Sequence, residues 1–203
     1  LPKTIKLKLH FEILFTEWVL KLIRNNKRHY PLSISPPWRH LYRITMFEDL
    51  KSKAKSISVT GLGYVGLPLA LEFSRHFRVI GFDINEDRIA MMRQKADPSM
   101  ELPSSAFEGC DIQFTSDPMD LRNAHFHIIG VPTDIDDHKV PDLNPLLKAS
   151  RSVGAALKKG DYVVYESTVY PGCTEDDCLP ELEKASGLKG GLDFKFGYSP
   201  ERI

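Results

Sequence analysis

Three glycines and one carboxylate have a spacing in this chain that prescribes a chemistry. Gly61, Gly63 and Gly66 stand as G-x-G-x-x-G, and Asp83 follows Gly63 by 20 positions. That set suits a diphosphate carrying a ribose. The first glycine permits a tight turn out of a strand, and the second lets main chain reach a pyrophosphate with no side chain between. The third lets the following helix lie close against the strand. Free N–H groups and the dipole at the helix start then favour an anion. A carboxylate at the tip of the next strand takes ribose hydroxyls and repels a 2′-phosphate, so NAD is expected over NADP. Arg88, five residues further on, has two readings: a positive charge that softens this preference, or an ordinary solvated arginine on the next helix.

A glycine triplet alone is weak evidence, and its meaning depends on the elements that hold it. Ile57 and Val59 alternate as a short strand before it; Phe77, Val79 and Phe82 mark another after it, with a helix from Val65 to Arg75 between. Further helices are expected over Glu86–Lys95 with Asn85 as cap, near Ser104–Phe107, over Pro145–Lys158 between Asn144 and Gly160, and over Thr174–Ser186 closed by Gly187. Strands are expected over Ile112–Asp117, in the apolar run within His125–Thr133, from Asp161, and within Leu192–Ile203. Alternation of this kind predicts an α/β fold, a doubly wound parallel (Rossmann) sheet with right-handed crossovers. Ligands of such sheets bind beyond the carboxyl ends of the strands, which puts Thr133 with the backbone beside it, and Glu166, Ser167 and Thr168, on the crevice side.

Composition narrows the remaining choices. The 203 residues balance to zero formal charge, yet Leu1–Thr45 carries nine Lys/Arg against two Asp/Glu, leaving 18 basic and 25 acidic side chains for the rest. An acidic body offers no footprint for nucleic acid. Cys110, Cys173 and Cys178 match no metal or redox spacing, which points to a reducing cytoplasm. No apolar run reaches the roughly 20 residues of a membrane span. Three readings compete for the leader 1–45: a membrane- or partner-binding amphipathic helix, an extension packed on the body, or a segment outside the native domain, with Met46 the natural start. The third is preferred, as a poorly ordered or loosely attached extension. His125 and His127 read as partly buried histidines near a strand start. Asp134, Asp136, Asp137 and His138 fall in an acidic loop that fixes no common face, so no metal is expected there.

Five segments in order, GLGYVGLPLA (61–70), GFDIN (81–85), GVPT (130–133), ESTVYPG (166–172) and GYSPERI (197–203), together resemble the N-terminal half of the UDP-glucose/GDP-mannose dehydrogenase family, the nucleotide-sugar 6-dehydrogenases. ESTVYPG with GYSPERI is most similar to the UDP-N-acetylhexosamine branch of Vi- and O-antigen type. The resemblance covers 46–203 and excludes the leader. It implies oxidation of a sugar C6 alcohol to a carboxylate with two NAD+ by a cytoplasmic homodimer of polysaccharide precursor synthesis, acting on a UDP-sugar. Gly61, Gly63, Tyr64, Val65 and Gly66 would bind pyrophosphate, Asp83 the ribose with Arg88 beside it, and Val131, Thr133 and Thr168 the nicotinamide side. Glu201 of the Ser-Pro-Glu motif would serve near the substrate in water-assisted chemistry, with Thr168 as its catalytic neighbour. Asp134 and Cys173 depart from the family's usual proline and threonine. The family's nucleophilic cysteine, which forms a thiohemiacetal and then a thioester, lies in a downstream Cys-Phe-Pro-Lys-Asp segment. The resemblance therefore implies a binding domain cut short before its catalytic half. The rivals are a β-hydroxyacid dehydrogenase-type domain and a non-catalytic Rossmann binding module.

Overall fold

The computed structural model describes residues 46–134 and 141–199. Six parallel strands form one sheet in the order β3-β2-β1-β4-β5-β6. They are β1 Ser56–Thr60, β2 Arg78–Phe82, β3 Ile112–Thr115, β4 Phe126–Ile129, β5 Tyr162–Tyr165 and β6 Lys195–Tyr198. Helices accompany them, among them α1 Gly66–Ser74, α2 Glu86–Arg93, α3 Asn144–Ala156 and α4 Leu179–Ser186. The chain winds outward from β1 to β3, returns, and winds outward again from β4 to β6. The reversal between β1 and β4 is the switch point at which doubly wound sheets open a crevice.

Central strands are buried along their whole length, as β1 and β4 show, because helices cover the sheet. Phe82, Ile129, Val163 and Tyr165 pack with Leu146, Ala149 and Val153 of α3 and with Leu182 of α4 in one apolar cluster. Gly154 brings those two helices together: a Cβ there would lie 2.8 Å from Ala185 Cβ and 3.1 Å from the Leu182 carbonyl oxygen. Polar groups inside this core are paired, with the Ser150 and Tyr165 hydroxyls 2.8 Å apart.

Several boundaries differ from the sequence reading. Asn85 caps α2, accepting the Arg88 N–H at 3.0 Å, and Gly187 closes α4 in the left-handed conformation at φ 70°. Asn144, however, lies inside α3, where its own N–H donates to the Asp142 carboxylate at 2.9 Å. Gly160 is not the C-cap of α3; the helix stops at Leu157, and Gly160, at φ +91°, serves the turn into β5. The helix expected over Thr174–Ser186 starts with a wide π turn over Thr174–Cys178, in which the Leu179 N–H returns to the Thr174 carbonyl. Pro180 has no N–H to offer the Asp176 carbonyl and its ring crowds that oxygen, so the preceding turn opens. The strand expected within His125–Thr133 is shorter, ending at Ile129.

Candidate coenzyme site

β1 leaves the sheet at Thr60, and Gly61 turns the chain with φ +89° while its N–H donates to the Phe82 carbonyl at 2.9 Å. A Cβ on Gly61 would fall 2.7 Å from Val131 Cγ1 and 2.8 Å from the Gly130 carbonyl oxygen. The glycine turn thus abuts the tail of β4. Gly66 is tighter still: its Cβ would lie 1.7 Å from the Gly61 carbonyl oxygen, so α1 can start there only with glycine. Around Gly63 there is nothing within 4 Å of an added Cβ. The three glycines therefore do different work, two closing the turn against itself and one leaving it open on the outside. No side chain caps α1 and its first turn holds no acidic residue; the Leu67 N–H is bonded to the Gly63 carbonyl at 3.1 Å and Pro68 has none, so an anion would be met by the turn just before them. Tyr64 and Val65 are exposed on the same turn.

Asp83 follows the last residue of β2 and is oriented by main chain on both sides. Its Oδ2 accepts the Leu62 N–H and its Oδ1 the Asn85 N–H, both at 3.0 Å. Each oxygen keeps a lone pair for a further donor such as a ribose hydroxyl. Arg88 fits neither sequence reading: it is half-buried, and its Nη2 donates to the Leu62 carbonyl at 2.8 Å. The Leu62 peptide is clasped from both ends, by a carboxylate at its N–H and a guanidinium at its C=O.

On the other side of the crevice the tails of β4 and β5 are tied to each other. Ser167 Oγ donates to the Val131 carbonyl and Thr133 Oγ1 donates to the Thr168 carbonyl, each at 2.6 Å. Thr133 keeps its oxygen lone pairs as acceptors. Gly61, Gly63, Tyr64, Val65, Gly66, Asp83, Arg88, Val131, Thr133 and Thr168 therefore converge on one edge of the sheet. Glu201, Asp136, Asp137, His138 and the leader 1–45 lie outside the described residues. Ser167, expected on the crevice side, is buried there, whereas Asp97 and Ser99, which face Arg88, were not singled out in the sequence. An Asp-Pro-Ser turn signature at 97–99 was the available signal for the latter pair.

Other reactive groups sit elsewhere. His127 is fully buried in β4, not partly buried, with Nδ1 2.8 Å from Ser58 Oγ and Nε2 3.6 Å from the Asp161 carboxylate at the far end of β5. Burial lowers its pKa, against the opposing pull of Asp161. Cys173 and Cys178 are buried free thiols. Burial, then the neighbouring Cys173, pushes the Cys178 thiol up to about 12, the opposite of a nucleophile's environment. Among the described residues no group of three His, Cys, Asp or Glu could hold a metal, and no helix is long and apolar enough to cross a membrane.

The NAD-binding domain model of the UDP-glucose/GDP-mannose dehydrogenase family matches residues 55–203. A UDP-N-acetyl-D-glucosamine 6-dehydrogenase from Pseudomonas aeruginosa is 55% identical over 157 residues, covering 77% of this chain and 36% of that protein. The enzyme of the same name from Salmonella typhi is 50% identical over 148 residues, covering 72% and 35%. Among solved structures, a ternary complex of GDP-mannose dehydrogenase from Pseudomonas aeruginosa superposes with a TM-score of 0.67 at 30% identity, covering 72% of this chain and 36% of that one. The chain thus spans about a third of the length of these relatives.

Proposed function

The chain belongs to the UDP-glucose/GDP-mannose dehydrogenase family, within its NAD-binding domain, and on that footing we propose that it supplies the coenzyme half of a nucleotide-sugar 6-dehydrogenase. The whole enzyme oxidises the C6 alcohol of a UDP-sugar, a UDP-N-acetylhexosamine or UDP-glucose, to a uronate with two NAD+. The identity to two UDP-N-acetyl-D-glucosamine 6-dehydrogenases supports the hexosamine. NAD+ supplies a hydride acceptor at each oxidation. The work of this chain is to hold it. Gly61 makes the turn, Gly63, Tyr64, Val65 and Gly66 present main chain and an open face to the pyrophosphate, and Asp83 takes the ribose hydroxyls with Arg88 behind the turn. Val131, Thr133 and Thr168 border the nicotinamide, where the threonine oxygens orient the carboxamide. Glu201, together with Thr168, acts beside the substrate on water.

The carrying observation is the pairing of an open flank at Gly63 with an Asp83 carboxylate already fixed by the Leu62 and Asn85 amides. A site ordered before binding spends little on ordering afterwards. Burial holds the Cys173 and Cys178 thiols above their ordinary values, which does not suit the thioester step, and coenzyme binding is the part of the reaction that this chain carries. The whole enzyme is a cytoplasmic homodimer that binds no nucleic acid. Calorimetric titration of the chain tests the reading: NAD+ binds, NADP+ binds more weakly, and Asp83→Ala weakens NAD+ about tenfold, as expected for lost charge-assisted hydrogen bonds. Failure of NAD+ to bind overturns it.

A further inference from the structure

Arg88 lies where a cation could decide between the two coenzymes, and the surrounding loop shows what it does instead. Besides the Leu62 carbonyl, its Nη2 lies 3.5 Å from Ser99 Oγ. Ser99 belongs to a loop organised around one carboxylate. Asp97, only 7% exposed, accepts the Ser99 N–H on Oδ1 at 2.8 Å, and the Glu101 and Leu102 N–H groups on Oδ2 at 3.0 Å each. Burial alone would raise its pKa. The three N–H bonds and the positive charge of Arg88 outweigh it and hold the carboxyl below its ordinary value. The loop is thus built around a stable anion, and Arg88 reaches it through Ser99, whose N–H Asp97 holds.

A guanidinium offers five N–H donors in a planar fork that matches a phosphate. Turned outward beside Asp83, such a fork would accommodate a 2′-phosphate, the device by which related folds accept NADP. Here the fork is turned back onto main chain. We propose that Asp97 is a positioning residue for coenzyme choice: with Ser99 it holds Arg88 against the Leu62 carbonyl, so that Asp83 alone meets the ribose edge and a 2′-phosphate finds no cation. The inference rests on the coenzyme reading of the glycine turn and goes one step past it. Asp83 supplies repulsion of the phosphate, whereas Asp97 withholds the attraction.

The test is the ratio of the NADP+ and NAD+ dissociation constants, measured by titration of the full 203-residue chain. Asp97→Asn removes the negative charge behind Ser99 and is expected to shrink the ratio about fivefold, the upper range of a screened charge interaction. Ser99→Ala leaves the three Asp97 main-chain bonds in place and is expected to shrink it by a smaller amount, about twofold. Adding Arg88→Met to Asp97→Asn restores the wild-type ratio. A residue that merely shapes the loop weakens both coenzymes alike. An unchanged ratio in Asp97→Asn, or a shrunken ratio that survives the loss of Arg88, therefore overturns the proposal. Should Asp97→Asn fail to fold, an unchanged ratio in Ser99→Ala overturns it by itself. Wild-type chain that binds neither coenzyme removes the coenzyme site and the proposal together, whereas NAD+ binding with an unchanged ratio removes the proposal alone.

Discussion

At the scale of single residues, the glycine turn separates two requirements that the motif merges. Gly66 is required by the fold, since any Cβ collides with the Gly61 carbonyl; Gly63 has room for a methyl group, so its requirement belongs to the ligand. Gly66→Ala is therefore expected to lower the melting temperature and abolish NAD+ binding together. Gly63→Ala should melt within a degree or two of wild type, as surface changes do, while NAD+ weakens about tenfold or more in the same titration. These residues were legible in the sequence because a backbone constraint admits almost no substitute. Asp83 was legible for the same reason, since strand length fixes where a tip carboxylate stands. Arg88 was not. Its direction is a rotamer choice set by a loop about ten residues away, and no local pattern records it.

The elements show where local signals compete. The sheet and α3 follow the hydrophobic periodicity, whereas α2 buries only Ile89 and Met92 and leaves Met91 exposed, and the ends of α3 do not follow their nearest cap residues. Asp142 and Asn144 are both good N-terminal residues, and the Asp142 carboxylate takes the Asn144 N–H, moving the helix start. The π turn ahead of α4 was hidden because Thr174–Ser186 reads as one continuous helix unless one asks which carbonyl the missing N–H of Pro180 would have served. Packing between α3 and α4 depends on Gly154. Gly154→Val is expected to cost about 2 kcal/mol by overpacking, read as a lower urea midpoint with an unchanged slope. The tie between the β4 and β5 tails makes a different prediction. Ser167→Ala leaves the Val131 carbonyl without that hydroxyl, destabilises by about 1 kcal/mol, and weakens NAD+ through the displaced Val131 and Thr133.

Over the whole molecule, burial of ionisable groups couples folding to pH. His127 is fully buried beside Ser58, with Asp161, Lys158 and His125 as its charged or titratable neighbours. Its folded pKa lies below the ordinary 6.5. As pH falls below 6.5 the unfolded chain binds a proton that folded His127 refuses, so stability drops across that window and is restored as pH rises. Asp161, itself held below the ordinary 3.8 despite burial, adds a second loss at still lower pH. Urea midpoints at pH 7.5 and pH 5 should differ in that direction, and His127→Gln should flatten the difference. The strand's burial was legible in its apolar run, but how deeply it encloses one histidine depends on Lys158 closing the sheet's far end through the Arg122 and Ala124 carbonyls. Two of the three cysteines are enclosed elsewhere in the core, Cys173 and Cys178 being buried and Cys110 half-exposed. An alkylating reagent added to native protein should accordingly tag Cys110 within minutes and reach the other two only as molecules open, so that mass counted against time yields the opening rate without any engineered probe.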